Sequence, residues 1–462
     1  MEGRTSGIPE ESYDVTEPER AAGGLVQTLR RKLSVALRAV WRRMPLPPDM
    51  KDRVAGFVFR NLPFLVSWSA TYRNWKLEVD RLAEARLRQS LRGPVEADRP
   101  VHAELSGLPR PDSLLARAVA FYLPQFHPIP ENDEWWGAGF TEWSNVCRAK
   151  PQFEGHDHPI RPGELGYYDL LEHPHVRRRQ AALAKQYGLE GFCFYFYWFA
   201  GQRLLEAPIE AWAGDDEIDF PFCLCWANES WSRTWDGREQ EVLMGQNHTP
   251  EDDIAFISYL ARYLRNPKYL CVKGRPLVMV YRPGLLPDAK ATAERWRTWC
   301  RENGIGEIYL TCTQSFDIAD PADFGFDAAT EFPPNNMGLE PEDGLVVPVS
   351  DDFECKVYDW SVLPKRAEAY EEPGCKLFRG VTPRWDNTAR RMNRGTVFVN
   401  TGPDEYAGWL RKAALDVQAR ISDPSERLVF INSWNEWAEG AHIEPDLTHG
   451  YAWLDATRRG LQ

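Results

Sequence analysis

Several features that would commit a chain to a class are missing from these 462 residues. No run of about 18 apolar residues occurs, the length a spanning helix needs. The opening Met1-Glu2-Gly3-Arg4-Thr5 shows no basic stretch leading into an apolar one, so a secretory signal is not expected and a cytoplasmic setting is. There is no Cys-x-x-Cys pair. Cys223 and Cys225 are alternate residues of an apparent strand, so a zinc site is not expected. In that setting Cys193, Cys223, Cys225 and Cys312 read as small buried hydrophobes rather than disulfide partners. Positive charge is short as well. A net charge of −13 argues against nucleic acid as the main partner. No Gly-x-Gly-x-x-Gly follows the first predicted strand and no Asp-x-Asp motif was found, so neither a phosphate-bound cofactor nor a metal is expected.

Aromatic residues are abundant instead. They make up 13% of the chain, with 19 tryptophans, more than a core requires. An aromatic-lined cleft is the simpler explanation. Apolar content of 43% allows a large core beneath it.

Residues 1–24 are polar and rich in Pro, Gly and Glu, the composition of a disordered tail. A small helical N-terminal segment is expected over 25–92. Its first helix runs from Leu25 to Met44, with Leu29, Leu33, Leu37, Val40 and Trp41 at helical spacing. The other face carries Arg30, Arg31, Lys32, Arg38, Arg42 and Arg43 and no acidic residue. That face suits peripheral contact with an anionic membrane, at the inner side of the cytoplasmic membrane. It equally suits a helix packed on its neighbours with a basic outer surface, the commoner arrangement. Residues 93–113 have linker composition.

From 114 to 462 short apolar runs alternate with charged segments at helical spacing. Strands are predicted at 116–123, 191–198, 220–226, 277–281, 308–313, 328–332, 376–381 and 428–431. Helices are predicted at 176–188, 252–264, 289–304 and 404–421, and a long loop over 333–365. Eight strand–helix units predict a closed (β/α)8 barrel of the TIM type. An open doubly wound sheet is the alternative, but the residues after Tyr122 are Leu-Pro-Gln-Phe-His-Pro, not a glycine-rich loop.

Barrel chemistry sits where strands end. The first strand offers Tyr122, Gln125 and His127, and the second Tyr195, Tyr197 and Trp198. The third offers Trp226, Asn228 and Glu229, followed by Trp231, Arg233, Trp235 and Asp236. Later ends give Tyr281 and Arg282, then Glu331, then Trp385, Asp386 and Asn387. The eighth gives Asn435, Glu436 and Glu439, with Glu444 beyond. Aromatics beside amides and carboxylates are what sugars need: ring faces stack, and hydroxyls take hydrogen bonds. Each residue has a plainer reading too. Glu229 or Asp386 could cap a helix, His127 could be structural, and Glu331 could pair with an arginine such as Arg282.

The strongest pair is Glu436 and Glu439, in Asn435-Glu436-Trp437-Ala438-Glu439-Gly440. Three-residue spacing brings the carboxylates together if the segment begins a helical turn. Adjacent carboxyls push their pKa values apart, which supplies an acid and a base. The plainer reading is a solvated helix start.

Ala120-Phe121-Tyr122-Leu123-Pro124-Gln125-Phe126-His127-Pro128, Trp135-Trp136-Gly137 and Gly139-Phe140-Thr141-Glu142-Trp143 resemble the opening of the glycoside hydrolase family 99-like proteins, also called the WbsX-type family. Cys225-Trp226-Ala227-Asn228-Glu229, Asn435 to Gly440, His442 and Glu444-Pro445 extend the likeness over roughly 115–457. The resemblance implies a (β/α)8 barrel. It also implies a retaining mechanism through a 1,2-anhydro sugar, with Glu436 as base on the sugar's 2-hydroxyl and Glu439 as acid on the leaving oxygen. Ala438 stands where the family's mannosidases carry histidine, so the resemblance does not carry mannose over. The main expectation is a glycoside hydrolase-like enzyme acting on an α-linked cell-surface polysaccharide or its precursor. A glycosyltransferase of lipopolysaccharide or capsule synthesis is the alternative. A non-catalytic glycan-binding protein, with Trp226 as a sugar platform, is the third.

Overall fold

A computed structural model describes residues 109–462, except 234–237, 317, 319 and 369. The expected tail, the N-terminal helices with their membrane-facing basic surface, most of the linker, Trp235 and Asp236 lie outside those residues.

Eight parallel strands close on themselves. They are β1 (Arg117–Tyr122), β2 (Leu189–Phe199), β3 (Phe222–Trp226), β4 (Arg275–Val280), β5 (Tyr309–Gln314), β6 (Ala328–Glu331), β7 (Leu377–Val381) and β8 (Leu428–Ile431). Each pairs with the next in sequence, and β8 pairs with β1 through Arg117 and Leu428. All eight predicted strands are present, in the predicted order.

The crossovers carry helices on the outside, chiefly α1 (Pro174–Gln186), α2 (Pro250–Leu264), α3 (Ala289–Glu302), α4 (Pro403–Arg420) and α5 (Ala452–Leu461). Local chemistry fixes where they begin. Thr249 caps α2 by accepting from the Asp252 N–H, with Pro250 in the first turn, and Asp288 caps α3 through Ala291. Among the described residues no helix is long and apolar enough to cross a membrane. All nine cysteines are free thiols.

Side chains alternate between two apolar layers. Phe121 meets the rings of Tyr195, Phe332 and Phe430 across the barrel interior, at 5.7, 4.8 and 5.6 Å. Its neighbour Tyr122 points the other way and packs on Phe194 and Trp212, at 4.3 and 6.0 Å, in the helix layer. Both layers are buried, and burying one such side chain contributes ~1.5–3 kcal/mol.

The predicted loop over 333–365 is more ordered than expected. Its last part forms a strand, Lys356–Asp359, paired in parallel with Thr396–Val399, and a short helix, Val362–Lys365. Four residues with charged ends carry too little periodicity to read as a strand.

Candidate active site

The strand ends open on a cavity of about 460 Å³. Of the residues singled out by sequence, Gln125, Tyr195, Tyr197, Glu229, Trp231, Tyr281, Trp385, Glu436 and Glu439 line it. Trp136, Phe316, Phe332, Asn335, Arg390 and Arg391 line it too.

The glutamate pair is held by a tight turn beyond β8. Asn435–Glu436 pairs antiparallel with Ala441–His442 around a single turn of 3-10 helix, Trp437–Glu439, closed by Gly440 at φ +60°. A Cβ at position 440 would lie 3.1 Å from that of Asp386, so both the left-handed backbone and the close approach demand glycine. Asn435 does not face the cavity. Its side chain clasps β1's exit, accepting from the Leu123 N–H at 2.7 Å and donating to the Leu123 carbonyl at 3.0 Å. Ser433 Oγ accepts from the Glu436 N–H at 2.8 Å and donates to the Ala441 carbonyl at 2.6 Å. Trp437 stacks on His442 at 3.8 Å and donates to Glu444 at 2.6 Å. The turn is therefore pinned on every side before any ligand arrives.

Arg390 joins the two carboxylates. From the short helix Thr388–Arg391 it donates to Glu436 at 2.8 Å, bonds Glu439, and reaches the wholly buried Glu142 at 2.6 Å. Burial pushes the Glu436 carboxyl up to about 8, against the pull of Arg390. Burial raises Glu439 as well. The three carboxylates in turn hold the Arg390 guanidinium well above its usual range, despite its own burial. The two-step spread expected of adjacent carboxyls is thus superimposed on a common upward push. Sequence reasoning missed Arg390. Asp386 is expected at the substrate, with a helix cap as its plainer reading, and the arginine that follows at 390 looks in sequence like any solvated one.

Other predicted residues lie elsewhere, and strand parity explains four of them. Tyr122, Trp198 and Trp226 sit on the outward side of their strands. Tyr122 donates to Gln180 at 2.8 Å, Trp198 to Asp252 at 2.9 Å, and Trp226 packs on Phe256 and Trp296 at 4.5 and 6.0 Å. None of the three is a sugar platform. Glu331 also faces outward and pairs with Arg379 at 2.8 Å, not with Arg282. His127 is buried and does not line the cavity, its Nδ1 on the Pro124 carbonyl at 3.1 Å. Asn228 holds the Arg282 backbone at both ends, 2.8 Å each. Glu444 is enclosed by Trp437, Gln180 and Tyr168, and burial pushes its carboxyl up to about 7. Asn435 and Asp386 support the pair from behind.

Asp386 Oδ1 caps Thr388, at 2.9 Å from its N–H, and so sets the helix that presents Arg390. Its own N–H donates to the Glu439 carbonyl at 2.6 Å. Oδ2 meets Nε2 of His156 and of His158 at 2.5 and 2.9 Å, and these contacts hold the Asp386 carboxyl well below its usual range despite burial. Among the described residues these three form the cluster within metal-binding reach. The Gln152 N–H points at Nδ1 of His156 at 3.0 Å, so the ring proton lies on Nε2. The Nε2 atoms of both histidines converge on Asp386 Oδ2 as hydrogen-bond partners.

Residues 118–457 match the family model described as Glycosyltransferase WbsX. Two curated proteins, each described as "Uncharacterized protein WxcX", are similar to this chain, from two strains of Xanthomonas campestris pv. campestris. One is 56% identical over 353 residues, 76% of this chain and 50% of its own length. The other is 55% identical over 362 residues, 78% of this chain and 52% of its own. The chain thus spans about half the length of the curated relatives it matches. Among solved structures, a "Glycoside hydrolase-like protein" aligns at 15% identity and TM-score 0.49, covering 80% of this chain and 98% of that one. A GH99 endo-alpha-mannosidase from Bacteroides thetaiotaomicron aligns at 15% identity and TM-score 0.45, covering 74% and 96%.

Proposed function

We propose, from the premise that this chain belongs to the WbsX glycosyltransferase family, that its barrel acts on carbohydrate and that a glycosidic bond is cleaved between Glu436 and Glu439. One observation carries the reading: two carboxylates face a single aromatic-lined cavity and share one buried guanidinium. Paired carboxyls are the usual equipment for glycoside hydrolysis. Tyr195, Tyr197 and Trp385 supply ring faces, and Gln125 and Glu229 supply hydrogen bonds to hydroxyls. Gln125 Nε2 is buried with no partner among the described residues, a donor suited to a sugar oxygen.

The proposed substrate is an α-linked glycan of a cell-surface polysaccharide or its precursor. In the mechanism that the family resemblance implies, Glu436 accepts the proton of the sugar's 2-hydroxyl as that oxygen attacks C1. Glu439 gives its proton to the departing oxygen. Water then opens the 1,2-anhydro ring, and the two carboxyls exchange roles. Arg390 and Asp386 position the pair and touch no substrate atom in this scheme. Glu439→Gln, assayed by release of reducing ends from the source organism's surface polysaccharide, is expected to reduce turnover at least a hundredfold. Undiminished turnover would remove Glu439 from the chemistry.

The family's own description favours one second reading, transfer of a sugar to an acceptor through the same carboxylates. Saturable binding of a nucleotide-sugar in calorimetry supports transfer. Reducing-end release without any donor supports hydrolysis.

A further inference from the structure

Among the described residues Phe316 is the one aromatic side chain left exposed, at 51%. A single exposed apolar residue is ordinary, so its position has to decide what it means. Phe316 follows β5 and lines the main cavity. It also lines an adjoining pocket of about 80 Å³, and Tyr281 is common to both. The Arg282 guanidinium lies over one face of its ring at 4.1 Å, and Tyr281 meets it edge-on at 6.1 Å. Arg282 is itself fixed. Asn228 holds its backbone, and its guanidinium donates to Glu229 at 2.7 Å. Glu229 in turn lines the main cavity.

The cleft mouth therefore carries an apolar ring beside a half-exposed carboxylate–guanidinium pair. This is the combination that the cavity floor offers to a first sugar: a flat face for C–H groups and bidentate partners for adjacent hydroxyls. We propose that Phe316, Arg282 and Glu229 form a second sugar platform, which takes the neighbouring residue of the same glycan chain. The inference rests on the carbohydrate reading above and deepens it, since the protein then reads at least two consecutive sugars. Leu285 and Ile318, at 42% and 76% exposure, extend the apolar surface nearby. A second copy of this chain could cover such a surface. Continuity with the main cavity, and an ion pair where a protein partner would place apolar atoms, favour the glycan.

The test uses the full chain as Glu439→Gln, to prevent turnover, with and without Phe316→Ala and Phe316→Trp. The probe is a size ladder from partial acid hydrolysis of the source organism's surface polysaccharide, with affinities measured by calorimetry. Phe316→Ala should weaken the longer fragments roughly threefold to tenfold and leave the shortest binding fragment unchanged, and Phe316→Trp should restore the long-fragment affinity. Equal weakening of all fragments, or of none, overturns the second platform. So does a change in oligomeric state in place of a change in glycan affinity. If the Phe316 chain binds no fragment at all, the carbohydrate reading itself fails, and that outcome differs from the others.

Discussion

Replacing Glu436 by glutamine should make the protein more stable, and increasingly so as the pH rises. The Glu436 carboxyl holds its proton up to about 8 in the folded chain, against an ordinary 4.5. Each pH unit of that gap is worth about 1.4 kcal/mol. Ionising Glu436 inside the fold therefore costs on the order of 5 kcal/mol more than ionising it in the unfolded chain. The sign follows from proton counting. Between pH 4.5 and 8 the folded chain keeps a proton that the unfolded chain has lost, so raising the pH favours unfolding. The penalty is absent below the unfolded value, grows across the window, and is complete above the folded one. Glutamine mimics the protonated carboxyl in shape and still offers an oxygen to Arg390, which keeps Glu439 and Glu142 as charged partners. Urea unfolding followed by tryptophan fluorescence at pH 5, 7 and 9 tests this. The variant should exceed the parent by about 1 kcal/mol at pH 5 and about 3 kcal/mol at pH 7, and reach nearly the full difference by pH 9. Parallel stability curves across that range would refute the argument that burial dominates Arg390 at this carboxyl.

Two other substitutions separate charge from packing. Arg390→Met leaves three carboxylates without their shared cation, and should cost about 3–5 kcal/mol in urea unfolding at pH 8 and less at pH 5, where the carboxyls can take up protons. A cost independent of pH would mean that the arginine acts by packing alone. Trp226→Ala should cost about 3–5 kcal/mol, because the ring is wedged between Phe256 and Trp296 in the helix layer. Glycan affinity per folded molecule should be unchanged, and a selective loss of affinity in calorimetry would return Trp226 to the cleft.

The barrel was legible because parallel strands are buried on both faces and read as unbroken apolar runs. That same property hid which way each strand-end side chain points. In β2, Cys193, Tyr195 and Tyr197 alternate with Phe192, Phe194, Phe196 and Trp198, and both sets are apolar enough to be core. Sequence alone could not say that Tyr195 and Tyr197 enter the cavity while Trp198 turns to α2. Polar strand ends suffered the same ambiguity, so Glu331 was read as a ligand contact although it closes an ion pair with Arg379. The glutamate turn escaped this problem. It lies beyond β8, outside the two-layer alternation, so its glycine and paired carboxyls stand out in sequence without any question of strand parity. Arg390 was illegible for the opposite reason. It reaches the pair across more than forty residues of sequence, and nothing local distinguishes it from Arg391.

The position of the shared proton links this geometry to the chemistry. With every group ionised, one largely buried guanidinium would face three carboxylates, and charge so poorly balanced is costly there. One proton on the pair relieves this. Burial favours placing it on Glu436, whose side chain is 6% exposed, over Glu439 at 20%. The family resemblance assigns the acid to Glu439. The two statements agree if one proton crosses the pair as the sugar binds, since Glu436 can take the proton of the sugar's hydroxyl only once it is ionised. Arg390 already bonds both carboxylates. It can strengthen its contact with Glu436 as charge appears there and release Glu439 as that group becomes neutral, with no movement of the turn that carries them. On the proposed mechanism, the buried arginine, which sequence reading passed over, would be the group that lets two carboxyls raised together by burial divide the roles of acid and base.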